Sequence, residues 1–137
     1  MRIPTDINFL VVDDFLSVRK MLKTGLRKLG HTGKIHEAEN VEQAKKVLAE
    51  MHGTPDEVHF IMSDWEMPGE ELGIDFLRTI RADERYKTIP FIMITAVNEK
   101  DNVLKAIMAG ASNYLTKPWN FEDFNLKLNM TWQKHNK

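Results

Sequence analysis

The feature that most constrains this chain is an alternation of short apolar runs with longer stretches of helical spacing, which favours a parallel sheet joined by crossover helices. Phe9 to Val12 is the first strand, followed by Val18, Met21, Leu22, Leu26 and Leu29 at three- and four-residue steps until Gly30 stops the pattern. Lys34 to Ala38 reads as the second strand. Asn40 caps the next helix, with Gln43 as its capping-box partner and Ala44, Val47, Leu48 and Met51 on one face.

A loop at Gly53 to Asp56 leads to a third strand, Val58 to Ser63, apolar enough to be buried on both faces. Met67-Pro68-Gly69 breaks the chain before a helix from Leu72 to Arg81, with Phe76, Leu77 and Ile80 inward. Pro90 to Ile94 is the fourth strand, and Asn98 is a candidate cap for a helix whose expected apolar face is Val103, Leu104, Ile107 and Met108. After Gly110 come a short strand, Ser112 to Thr116, and a last helix opened by Asn120 with Phe121, Phe124, Leu128 and Trp132 on one side. Five β/α units use all 137 residues, so the expectation is an α/β fold in a single domain spanning 1–137.

Composition narrows the function classes. With 19 Lys plus Arg against 20 Asp plus Glu, the net charge of -1 argues against general nucleic-acid affinity, which needs a basic face to neutralise phosphates. The absence of cysteine excludes disulfides, thiolate metal sites and a cysteine nucleophile. No apolar run approaches the ~20 residues of a membrane span, and Met1 to Phe9 lacks the pattern of a signal peptide. The expected setting is the cytoplasm.

Ligands of an open parallel sheet sit at the carboxyl ends of its strands, and those positions here hold Asp13-Asp14, Asp64, Thr95 and Lys117. Any one of the acids is as readily a helix cap or turn former, but three that converge need a cation. Two like charges ~4 Å apart cost roughly 4 kcal/mol at an effective dielectric near 20. Oxygen donors suit a hard ion, and a pocket of one or two carboxylates, a carbonyl and waters suits Mg²⁺ better than a caged Ca²⁺. Three carboxylates, Mg²⁺ and one ammonium sum to zero, a balance that accepts a phosphoryl group.

In Phe9-Leu10-Val11-Val12-Asp13-Asp14, Ser63-Asp64-Trp65-Glu66-Met67-Pro68, Ile94-Thr95-Ala96 and Tyr114-Leu115-Thr116-Lys117-Pro118, taken in order, the chain resembles the receiver domains of two-component response regulators. Ile80 to Asp83 and Ala109 to Ser112 also fit, and Trp65 narrows the likeness to the CheY-like chemotaxis members. The resemblance covers essentially the whole chain. It implies a three-layer, doubly wound, flavodoxin-like sandwich with a five-stranded parallel sheet in the order 2-1-3-4-5. Position by position, it makes Asp64 the phosphoacceptor, Asp13, Asp14, Asp64 and the Glu66 backbone carbonyl the Mg²⁺ site, and Lys117 the partner of the phosphoryl group. It also makes Thr95 and Tyr114 the switch pair and the Lys117–Pro118 bond cis.

The implied function is a switch rather than a turnover enzyme. It is charged by a CheA-like histidine kinase, acts as a monomer through noncovalent binding to a FliM-like flagellar motor switch protein, and is discharged with or without a phosphatase. The expected output face comprises Lys105, Tyr114, Thr116, Lys127 and Met130, with Leu126 adding apolar contact and Lys127 on the exposed side of its helix. A phosphorelay intermediate or phosphate sink is the alternative within the family. A metal-dependent phosphatase with Glu66 as general acid, or a scaffold that is never phosphorylated, are the alternatives outside that role.

Two departures stand out. Pro68 is followed by Gly69-Glu70-Glu71-Leu72-Gly73, one residue longer than the common family pattern, and Met51 to Val58 is also long. Glu66 adds a fourth carboxylate, expected to affect rates. The five histidines, His31, His36, His52, His59 and His135, lack ligand spacing and are expected at the surface or its boundary.

Overall fold

The computed structural model describes residues 3–66, 72–96 and 100–135. The expected break at Met67-Pro68-Gly69, the rest of the longer loop to Glu71, and the Asn98 cap lie outside the described residues. In chain order the elements are β1 Phe9–Val12, α1 Leu16–Lys28, β2 Ile35–Ala38, α2 Val41–Met51, β3 Phe60–Asp64, α3 Gly73–Ala82, β4 Phe91–Ala96, α4 Lys100–Ala109, β5 Asn113–Lys117 and α5 Phe121–His135. The strands form one parallel sheet in the order β2-β1-β3-β4-β5, the flavodoxin-like arrangement that was expected.

Both faces of this sheet are covered, so its inner strands begin as continuous apolar runs instead of alternating with polar residues, and polar side chains enter only toward their carboxyl ends. Leu10, Val12, Ile61 and Met93 point into one core with Leu48, Phe76, Leu77 and Ile80 from α2 and α3. Phe9, Val11, Phe60, Met62, Ile92 and Ile94 point into the other, with Leu22 and Leu26 of α1 and Phe124 and Leu128 of α5. Asn40 caps α2 by accepting from the Gln43 amide at 2.8 Å, while the Gln43 side chain reaches past the cap to the Glu39 amide. Gly30 takes φ +92 just beyond α1, where a side chain would be strained.

Several faces differ from the periodic reading. On α4 the expected apolar side is the outer one: Leu104 is 64% exposed, Ile107 43% and Met108 88%, while Ala106 is buried. Small Ala106, with Ala109 beside it, sits in the core that includes Ile80 and Met93, and the larger apolar residues are turned outward. On α1, Met21 is half exposed, whereas Arg19 is buried. Phe121 lies at the rim of α5 under the Lys28 ammonium, 4.4 Å from its ring centroid, rather than in the core. His31 departs from its expected surface position. It is buried edge-on to Phe9, and burial, then the nearby Arg27, pushes its pKa down.

Candidate phosphoacceptor and metal site

Strand register assembles the site. Val12 pairs with Ser63, so the next residues, Asp13 and Asp64, leave the sheet side by side. Asp64 pairs with Ile94 and Ala96 with Lys117, which sets Thr95 and Lys117 on the neighbouring strands at the same edge. The Asp13, Asp14 and Asp64 carboxylates each offer an oxygen within 4.8 Å of the others. Asp13 and Asp64 are buried, and Asp14 is exposed.

Lys117 ties this group together. Its ammonium lies 3.1 Å from one Asp13 carboxylate oxygen and 3.3 Å from Asp64 Oδ1, and the Lys117–Pro118 peptide bond is cis. The other Asp13 oxygen accepts from the Phe15 amide at 2.9 Å. Burial, followed by the charge of Asp13, raises the Asp64 pKa to about 6 against the opposing pull of Lys117. Burial works against the Lys117 ammonium too, yet the Asp64 and Asp13 carboxylates together outweigh it and its pKa stands above the ordinary lysine value. One ammonium therefore only partly relieves the crowding of the three acids. Oxygen-only donors at this spacing fit a hard divalent cation, which would complete the balance.

Thr95 is 2% exposed, and its Oγ1 has no hydrogen-bond partner. A buried hydroxyl left in this state costs about 1 to 3 kcal/mol, so it is available to a new acceptor at the strand ends. The expected output residues surround β5. Lys105 and Met130 are exposed, while Tyr114 and Thr116 are half-buried. Lys127 is also half-buried, not on the exposed side of α5, because its ammonium rests 4.0 Å from the centroid of the Tyr114 ring. Glu66 is exposed just after β3.

Two residues at the site carried no signal that sequence reasoning used. Gly73 opens α3 against the acceptor strand, where a Cβ would stand 2.1 Å from the Asp64 carbonyl oxygen. The repeated glycine in the longer loop was the available clue. Arg19 donates from Nη1 to the Asp13 carbonyl at 2.7 Å, a contact hidden in what looks like a surface lysine-arginine pair.

Residues 9–129 match the family model of the response regulator receiver domain. The chain belongs to the response-regulator receiver family. It is 34% identical over 130 residues to the chemotaxis protein CheY of Pseudomonas aeruginosa, covering 95% of this chain and 99% of that one. It is also 34% identical over 129 residues to CheY-3 of Vibrio cholerae, covering 94% of each chain. Among solved structures, the chemotaxis response regulator CheY4 of Vibrio cholerae superposes with a TM-score of 0.76 at 28% identity, covering 95% of this chain and 98% of that one. This receiver is thus CheY-like in sequence and fold, with an acidic cluster able to hold a metal ion. A receiver domain implies an upstream histidine kinase and a downstream target. Among the described residues, no helix is long and apolar enough to cross a membrane.

Proposed function

We propose that this receiver, as a single cytoplasmic domain and a monomer, carries a chemotaxis signal by accepting a phosphoryl group on Asp64. The donor is a phosphohistidine of a CheA-like kinase. An Asp64 carboxylate oxygen bonds to phosphorus as the P–N bond breaks, and its electron pair leaves with the imidazole. The observation carrying this reading is the Asp13, Asp14 and Asp64 cluster, in which one lysine bridges Asp13 and Asp64, with an unpartnered Thr95 hydroxyl on the adjacent strand. Asp13, Asp14, Asp64 and the Glu66 carbonyl would hold Mg²⁺, which when bound would supply charge neutralisation for the incoming phosphoryl oxygens. Lys117 then pairs with the phosphoryl group, and Thr95 donates to it. The chain promotes only its own phosphorylation and dephosphorylation, with a separate phosphatase as an optional partner.

The output follows from the same two strands. Movement of the Thr95 hydroxyl toward the phosphoryl group opens room for Tyr114, and an inward ring leaves the Lys127 ammonium free. The surface then offered by α4, β5 and α5 combines Lys105 and Lys127 with Leu104, Ile107, Met108, Leu126 and Met130, all five apolar side chains being at least 43% exposed. That mixture suits an acidic amphipathic peptide such as a FliM-like motor-switch segment, and the 34% identity to CheY proteins supports this target.

Intact-mass measurement with acetyl phosphate tests the acceptor. One phosphoryl adduct is expected with Mg²⁺, and none with EDTA or in Asp64→Asn. Label persisting in Asp64→Asn would place the acceptor elsewhere. For the output, beryllofluoride should tighten binding of the peptide roughly 5- to 150-fold, and Lys127→Glu should reverse the gain. An affinity indifferent to beryllofluoride favours the phosphorelay or phosphate-sink role.

A further inference from the structure

Arg19 occupies an unusual position for an arginine. It lies in the second turn of α1 and is only 7% exposed, and its guanidinium joins three separate parts of the chain. Nη1 donates to the Asp13 carbonyl at 2.7 Å, Nε donates to Glu37 Oε1 on β2 at 3.0 Å, and Nη2 lies 3.8 Å from Glu39 just beyond β2. Glu37 is itself gripped from the solvent side by Lys23 at 3.1 Å. Burial works against the Glu37 carboxylate, but hydrogen bonds from Lys23 and Arg19 and their charges outweigh it and hold its pKa below the ordinary value.

The contact to Asp13 is the informative one. A guanidinium on a core-facing helix position needs only carboxylates for its charge, and Glu37 and Glu39 provide them. The shortest of its three contacts nevertheless goes to the backbone of the residue whose side chain faces the acidic cluster. Asp13 is then fixed on every side: its amide donates to the Ala38 carbonyl, its carbonyl accepts from Arg19, and its carboxylate accepts from the Phe15 amide and Lys117. Among the described residues, the Arg19 link is the one that runs from this turn through a side chain to the edge strand. Fixing a ligand through the group behind it is how metal sites hold carboxylates in place.

We propose that Arg19, braced by Glu37, is a positioning residue that sets the Asp13–Asp14 turn for cation binding. The inference rests on the reading of Asp13, Asp14 and Asp64 as an Mg²⁺ site. Its consequence has a sign that separates it from a simple field effect. Removing the positive charge of Arg19 by itself draws a cation in, so field alone makes Arg19→Met bind Mg²⁺ more tightly. Loss of positioning makes it bind more weakly.

Calorimetric titration of Mg²⁺ alone into wild type, Arg19→Met, Arg19→Lys and Glu37→Leu decides between them, at a temperature where circular dichroism reports folded protein. Arg19→Met should weaken Mg²⁺ about tenfold, at the low end of what loss of such a supporting group costs a metal site. Glu37→Leu should weaken it less. Arg19→Lys keeps the charge but cannot reach all three acceptors at once, so it should fail to restore affinity and serves as the test should Arg19→Met not fold. Unchanged or tighter binding in the Arg19 variants, with or without a lower melting temperature, would overturn the inference while leaving the metal reading intact. No Mg²⁺ binding by wild type would overturn both.

Discussion

The two ends of the sheet are built on opposite electrostatic plans. At the amino end, neutral polar side chains join segments distant in sequence. Asn8 donates to the Pro55 and Glu57 carbonyls and accepts from the Lys34 amide, all within 3.0 Å. Ser112 Oγ accepts from the Phe91 amide and Arg81 and also hydrogen-bonds His135. At the carboxyl end, three carboxylates crowd together with one ammonium that reaches only two of them, and a hydroxyl goes without a partner. The amino end uses these groups to hold the fold together, although His31 Nδ1 and the Tyr86 hydroxyl are buried there without partners, and the carboxyl end keeps its carboxylates and the Thr95 hydroxyl ready for a cation or an anion. A receiver needs both, since a switch works only if its unsatisfied end is carried on a frame that does not yield.

The largest effect should come from breaking the polar links at the amino end. Asn8→Ala leaves the Lys34 amide and two carbonyls without their buried partner and should lower stability by about 3 kcal/mol in urea denaturation, with no change in Mg²⁺ affinity of the folded protein. A Mg²⁺ affinity that falls along with stability would mean that the two ends are not separable.

A comparable effect of opposite sign is expected at the acidic end. The Asp64 pKa, raised to about 6 by burial and then by Asp13, stands above its unfolded value near 3.8, so the ionised carboxylate opposes folding. That penalty is fully present above pH 6, fades as pH falls toward 3.8, and amounts to about 3 kcal/mol for a gap of this size. Without metal, Asp64→Asn should therefore be more stable than wild type at pH 7, and the advantage should shrink on acidification through that window. Melting temperatures of both proteins between pH 7.5 and 4.5 check it, and a constant difference would locate the strain elsewhere.

The smallest shift sharpens the contrast. Thr95→Val removes the unpartnered hydroxyl while keeping its shape and should raise stability by about 1 kcal/mol. The same variant should lose the beryllofluoride-dependent gain in peptide binding. A destabilised Thr95→Val would mean the hydroxyl is already engaged, and that this end is less open than its geometry indicates.

The elements and most of the site were legible because they rest on local pattern. Apolar runs long enough to be buried on both faces marked the strands, and the acids fell at their carboxyl ends, where parallel pairing gathers them whichever order the strands take. Helix faces were less legible. Val103, Leu104, Ile107 and Met108 form an apolar stripe of the right period, but period shows only that one side of a helix is greasy. Which side meets the sheet depends on neighbours, and α4 docks through Ala106 instead.

What the sequence determined by itself was therefore the inventory: five strands, five helices, and an Asp13, Asp14, Asp64, Thr95 and Lys117 set at one edge. What only the tertiary structure decided were contacts between residues far apart in the chain. Arg19 looks like a surface residue until β1–β2 pairing brings Glu37 to it, and Lys127 looks solvated until β5 places the Tyr114 ring beneath it. The physical reason is one of range. Backbone periodicity and turn chemistry act over a few residues and are written in order along the chain, whereas a charge or ring finds its partner across 13 or 18 positions only after the sheet has set the distance.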